Sequence, residues 1–346
     1  MSATLNENPG GALMAAPATP EDNPVRRTRT RRIAWGLAAA LAVTGIALSI
    51  TWSLEPDTFD VRAHTLTQTG RDPGSLAPGA YTAGALLGIS NTLLDKPGGY
   101  LRNDIAPPSV LLDNMPSWER GVVVELRDTV RALRNDFSRA QTQSPEVPDL
   151  VDADAQFHFD DDHWILPSTE DEFRAGRDAI AGYLERLHVR GPDRAAFYVR
   201  ADNLNFYLAT VEKRLGGYAQ QLAGNVQDWG DLVPPWTANE TAPDARTPWL
   251  EVDNVFFEAR GYIWGLLHTL RGIELDFKDV LEAKAAALPL RQVIEKLEQT
   301  QATVWSPVIL NNSGFGLFTN HSLVMASYIS RANAAIIDFR LLLSEG

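Results

Sequence analysis

Apolar positions recur along this chain in two patterns. From residue 33 to residue 54 they are almost continuous, IAWGLAAALAVTGIALSITWSL, 22 residues without a charge. Beyond about Pro78 they return every three or four residues, the spacing of an amphipathic helix. That period predicts helices over residues 80–94 and 119–143, the second with Val122, Leu126, Val130, Leu133 and Phe137 on one face. Leu204, Leu208, Val211, Leu215, Tyr218 and Leu222 form a seam of heptad type, and so do Ile263, Leu266, Leu270, Ile273, Phe277 and Val280. Such spacing lets two helices wind around each other. The connector between them is long enough to fold the second back on the first. The expected fold class is therefore all-α: an N-terminal single transmembrane helix, then an elongated helical bundle with a long antiparallel, coiled-coil-like hairpin. Pro289 opens a shorter helix to about Thr303, and residues 321–343 make a last one.

The periodicity breaks in three places. Residues 55–78 are rich in Thr, Gly and Pro and read as a linker. Between Ser144 and Pro167, QFHFDDDHWIL alternates in the manner of a short strand or hairpin. Thr169-x-x-Glu172 has the form of a capping box that opens a helix towards Val189, and Gly191-Pro192-Asp193 ends that helix and begins another.

A helix over residues 33–54 is about 33 Å long, enough for a bilayer core. Trp35 and Trp52 stand near its ends, where amphipathic rings favour the interface. Arg26, Arg27, Arg29, Arg31 and Arg32 precede it, and Glu55, Asp57 and Asp60 follow. The excess of arginine predicts a cytoplasmic N-terminus and the remainder of the chain across the membrane. A cleaved signal peptide is the rival, and Arg31-Arg32 could belong to a twin-arginine signal. Against cleavage stand the long polar lead, the length of the apolar run and the lack of an A-x-A site after Trp52. The expected organisation is a disordered cytoplasmic tail with a basic flank (1–32), a transmembrane anchor (33–54), a linker (55–78) and a periplasmic helical domain (79–346).

Composition narrows the chemistry. With no cysteine, disulfides, thiolate catalysis and cysteine metal sites are excluded. Five of the 31 basic and three of the 44 acidic residues precede Glu55, so the rest, 26 against 41, carries −15. A body that acidic is a poor match for nucleic acid. H-E-x-x-H, the phosphate-binding P-loop, G-x-S-x-G and G-x-G-x-x-G are all missing, and no cofactor is implied. Asp152-x-Asp154-x-Gln156 imitates a calcium loop but has Phe157 at the tight turn and His163 at the bidentate position. His158 and His163 flank three aspartates and could share an ion only through a turn; a polar turn is the simpler account. His268 reads as a core histidine. Arg120, Arg127, Arg131 and Arg134 lie on one side of a helix, as an anion-binding strip or, more simply, as a salt-bridged face.

The stretch TLLDKPGGYLRNDIAPPSVLLDNMPSW, residues 92–118, is the strongest candidate for a site. Asp95, Lys96, Tyr100, Arg102, Asn103 and Asp104 surround Gly98 and Gly99, and Pro107-Pro108 stiffen the exit. Three readings apply. It is a packed corner whose Lys96 and Arg102 pair with acids while Leu101, Ile105 and Leu111 plug the core, or a binding loop, or an active site with Asp95 and Asp104 as an acid/base pair. The corner is the simplest. Trp229, Trp236 and Trp249, in the proline-rich connector, either dock a partner or cap the hairpin.

Several of these segments carry a resemblance. LLDKPGGYLRNDIAPP, LLDNMPSWERGVVVELRD, RNDFSRAQTQSPEVPDL, QFHFDDDHWILPS, YVRADNLNFYLATVEKRLG and NNSGFGLFTNHSLVMASYISRANAAIIDFR resemble a bacterial inner-membrane family, domain of unknown function 2333. The resemblance implies a Gram-negative-type envelope protein with one anchor and carries no catalytic residue to this chain. The expected role is that of a non-enzymatic envelope scaffold or interaction module, with the bilayer and an envelope protein as partners. A carboxylate-dependent glycan hydrolase and a lipid carrier are the alternatives.

Overall fold

The computed structural model describes residues 24–140, 144–224, 251–304, 309 and 321–345. The expected N-terminal tail up to Asn23 and the whole of the connector with Trp229, Trp236 and Trp249 lie outside them. All regular structure among the described residues is helical, in eleven α-helices. The chain divides into two units, residues 1–47 and 48–346.

Within the first unit lies most of α1 (Pro24–Trp52). It is a continuous helix because nothing in its apolar run breaks one: alanine and leucine dominate and proline occurs only at its first position. Along its apolar run Trp35, Leu37, Leu41 and Val43 are each more than 60% exposed.

The second unit begins with the last turn of α1 and contains α2 (Val61–Thr69), α3 (Ala80–Asp95), α4 (Asn114–Ala132), α5 (Pro148–Phe157), α6 (Thr169–Leu187), α7 (Ala201–Gly224), α8 (Val252–Asp276), α9 (Lys278–Ala283), α10 (Ala287–Glu298) and α11 (His321–Ser344). Helix α8 is the axis of the core. Tyr262, Ile263, Trp264, Leu266, Leu267, Leu270 and Ile273 are buried on all sides of it, the signature of a helix enclosed by neighbours. Helix α4 crosses it where both helices carry glycine. A Cβ on Gly261 would lie 1.9 Å from the Trp118 carbonyl oxygen, and one on Gly121 would lie 2.0 Å from that of Glu258. Only the missing side chains permit so close an approach of two backbones. Helix α3 packs on α8 and α6, α5 on α6, and α11 on α7 and α10.

The hairpin expectation needs correction. Both heptad seams are buried except at Val280, which is half-buried, but the seam of α7 lies chiefly against α11, whose Met325, Ile329, Ala332, Ile336 and Phe339 face inwards. The seam of α8 lies against α4 and α3. Helices α7 and α8 touch locally, as at the Tyr218–Tyr262 ring contact. A heptad pattern specifies an apolar face but not the face that covers it, and α8 has apolar side chains all round that one partner cannot cover.

Four local readings are also corrected. The expected linker contains α2, capped by the Asp60 carboxylate on the Ala63 N–H (3.0 Å) and closed by Gly70 at φ 60°. Its threonines 65, 67 and 69 bond the carbonyls four residues back, which hides their polarity from a periodicity scan. The strand expected over residues 156–166 is instead the end of α5 followed by an irregular turn, and α5 itself buries Leu150, Ala153 and Phe157 at helical spacing among the acids, with Pro148 at its first position. Ser168, not Thr169, caps α6, its hydroxyl accepting from the Asp171 N–H. No helix follows Gly191-Pro192; the chain stays irregular to Arg200, with Phe197 stacked on Phe137 and edge-on to Phe277.

Candidate functional site

Helix α3 ends at Asp95 because the chain must turn back towards α4 within 18 residues. Gly98 (φ 90°) and Gly99 (φ 71°) make that turn in the left-handed region. It brings Lys96 under the fold, where its ammonium meets the Glu119 carboxylate at 2.5 Å and also donates to the Gly99 carbonyl. Both side chains are sealed, 2% and 0% exposed. The Glu119 carboxylate also accepts from the Leu101 N–H (2.9 Å) and the Arg102 N–H (2.8 Å), so its lone pairs are used. Burial pushes the Glu119 pKa up, with Lys96 opposing the shift. A buried ion pair with its remaining hydrogen bonds filled is tolerated, and breaking it is costly.

The other candidate residues tie this turn to the α5–α6 loop. The buried Tyr100 hydroxyl donates to the Asp161 carbonyl (2.7 Å), Arg102 Nε donates to the Asp161 carboxylate (2.9 Å), and Asn103 Nδ2 donates to the His163 carbonyl (3.1 Å). Thr169 holds the same loop from the far side through the His163 N–H and the Asp160 carbonyl. Asp95 and Asp104 do not form a pair. Asp95 is exposed and stands 3.8 Å from Arg177, while the Asp104 side chain makes no hydrogen bond or ion pair among the described residues. Leu101 is buried as expected, but Ile105 and Leu111 are 58% and 76% exposed and plug nothing. The proline-stiffened exit carries them away from the core.

The histidines resolve into structural roles. His158 Nδ1 donates to the Asp154 carbonyl and its Nε2 accepts from Arg131, whereas His163 Nδ1 donates to the Pro167 carbonyl. No group of three or more His, Asp or Glu side chains able to hold a metal ion occurs among the described residues. His268 is fully buried and stacks on Phe59, with Nδ1 donating to the Trp264 carbonyl and Nε2 accepting the Phe59 N–H. Burial drops its pKa to about 3, so it stays a neutral core residue.

A cleft of about 570 Å³ lies where α4, α7 and α8 meet, and sequence reasoning did not assemble it. The arginine strip of α4 divides: Arg127, Arg131 and Arg134 reach α5 and its loop, while Arg120, together with Arg131, lines the cleft. Helix α7 contributes Lys213 and Arg214. Arg214 forks onto the Asp128 carboxylate at 2.6 and 3.0 Å, and Arg120 approaches Glu258 at 3.6 Å. The Lys213 ammonium makes no ion pair among the described residues, leaving local positive charge for an anionic group. One turn before Asp128 and deeper, Glu125 is wholly buried. Thr129 and Thr269 donate to its Oε1 (2.7 and 2.6 Å), and its Oε2 has no partner among the described residues. Burial raises its pKa to about 7. The strip was visible as a period in the sequence; its partners on α7, some 80 residues away, carried no local signal.

These features define a helical protein with a large buried apolar core and an exposed apolar N-terminal helix. The chain belongs to the DUF2333 family, described as an uncharacterized protein conserved in bacteria, whose profile matches residues 28–346. No curated protein and no solved structure matches it.

Proposed function

We propose that this chain is a single-pass protein of the bacterial inner membrane whose helical domain faces the periplasm and serves as a scaffold or protein-interaction module, not an enzyme. One observation carries the reading: residues 31–52 form a helix of 22 residues with mean hydropathy 2.0 and none of its apolar window buried in the protein. A helix apolar all round, with none of that window buried by the described residues, is suited to lipid. The non-enzymatic part is supported by Lys96 and Glu119, which are sealed against each other, and by Asp95, which sits on the surface. The α4–α7 cleft offers an envelope partner an anchoring point for an acidic side chain. A hydrolase or a lipid carrier finds no comparable support.

Two fusions test the topology. With alkaline phosphatase after Gly346, activity in intact cells is expected, and activity confined to a cytoplasmic reporter at the same position refutes the orientation. An N-terminally tagged chain should remain at full mass in the membrane fraction after carbonate washing. Loss of the tag from the mature protein would instead identify residues 31–52 as a cleaved signal.

A further inference from the structure

Among the described residues outside α1, the largest groups of exposed apolar side chains lie in two loops; elsewhere they stand singly or, at Ile337 and Leu341, one helical turn apart. Ile105 (58%), Val110 (50%) and Leu111 (76%) share one short loop, and Trp164 (52%), Ile165 (52%) and Leu166 (88%) another. Residues 105–112, IAPPSVLL, and 164–167, WILP, contain no charge. The two loops leave the fold from adjacent points, joined at their bases by the bonds of Tyr100, Arg102 and Asn103 to Asp161 and His163. Contiguous exposed apolar residues on an otherwise charged protein mark a surface meant to be covered.

The fold also says what lies beside them. Trp52, the last residue of the apolar span, rests on the turn that feeds the first loop: a Cβ on Gly98 would lie 2.8 Å from its indole ring. Two residues on, Leu54 is 66% exposed. Glu55 is then locked by Arg260, whose guanidinium is buried and also donates to the Thr300 and Ala302 carbonyls. Trp52 and Glu55, both in the second unit, are therefore held by it, Trp52 beside the turn that feeds the first loop. We propose that loops 105–111 and 164–166 insert into the bilayer surface around the exit of the anchor, so that the domain is seated on the membrane instead of hanging from it. This rests on the reading of residues 31–52 as a membrane span. Trp164 suits the interface, with a broad apolar ring and one polar N–H. The residues flanking the two loops along the chain include Asp104, Asp113, Asp160 and Asp162, while Asp161 is paired with Arg102, so the favoured surface is zwitterionic rather than anionic.

The absence of cysteine makes the test direct. Ile105→Cys, Leu111→Cys and Leu166→Cys are each introduced singly into the full chain, labelled with an environment-sensitive fluorophore and reconstituted into phosphatidylcholine vesicles. Leu288→Cys is the aqueous control. It is 65% exposed at the start of α10, whose Arg291 pairs with Glu274 near the opposite end of α8 from Arg260. Leu41→Cys reports the span itself. The loop labels should be quenched several-fold more by a lipid-attached quencher than by iodide, and less so when much of the lipid is phosphatidylglycerol. Lipid quenching at Leu41→Cys with iodide quenching at all three loop sites overturns the loop insertion while leaving the anchor intact. Iodide quenching at Leu41→Cys overturns the anchor itself. Loop labels shielded from both quenchers mean a protein covers the patch, which also overturns the proposal.

Discussion

Glu125 carries a stability cost that should appear and disappear with pH. Its carboxyl is fully buried, its Oε1 takes both threonine hydrogen bonds, and its Oε2 has no partner among the described residues. Burial therefore favours the neutral acid and lifts the pKa from 4.5 to about 7. The folded protein holds this proton to higher pH than the unfolded chain does. Unfolding then releases a proton between about pH 4.5 and 7, and stability falls as pH rises through that window. At about 1.4 kcal/mol for each tenfold change in proton affinity, the full effect is about 3 kcal/mol. Glu125→Gln mimics the protonated acid: its carbonyl can accept both threonines, and its amide replaces the unpartnered oxygen. The variant should match wild type at pH 5 and be more stable at pH 8.5, by up to about 3 kcal/mol. Urea unfolding of the full chain in detergent, followed by tryptophan fluorescence at both pH values, measures this difference. Asp276, which burial raises to about 6, titrates in both proteins and cancels. A Gln-minus-Glu difference that stays constant from pH 5 to 8.5 would refute the claim that this carboxyl is held neutral.

Two further predictions concern packing and the α3–α4 turn. Gly261→Ala puts a methyl against the Trp118 carbonyl and should cost about 1–3 kcal/mol, whereas Gly217→Ala, in open space on α7, should stabilise by about 0.5–1 kcal/mol; urea titrations compare them. In thermal melts Lys96→Met should be strongly destabilising, about 3–5 kcal/mol, because it strands Glu119, while Asp95→Asn should stay within about 0.5 kcal/mol. The reverse order would mean that the exposed Asp95, not the sealed pair, holds the corner.

Much of this architecture was legible before any coordinates. The uncharged run at residues 33–54 and the recurrence of Leu, Ile and Val at three and four residues reflect constraints that act along one helix, so local pattern is enough to reveal them. Helices α3, α7, α8 and α11 were found for that reason, and His268 was correctly read as core. Short or irregular pieces were lost because their stability comes from elsewhere in the chain. Helix α2 depends on Gly84 making room for Thr65, and α5 on the face of α6. The partner of each apolar face was likewise undetermined, since a heptad seam fits any complementary seam; glycines at the crossing of α4 and α8 decided which helices meet. Site chemistry followed the same division. Lys96 and Arg102 were singled out as paired residues, but Glu119, in the first turns of the next helix, looked like any surface acid. Its burial, the raised pKa of Glu125 and the α4–α7 cleft exist only once distant helices exclude water, because desolvation belongs to the packed assembly and not to any one segment.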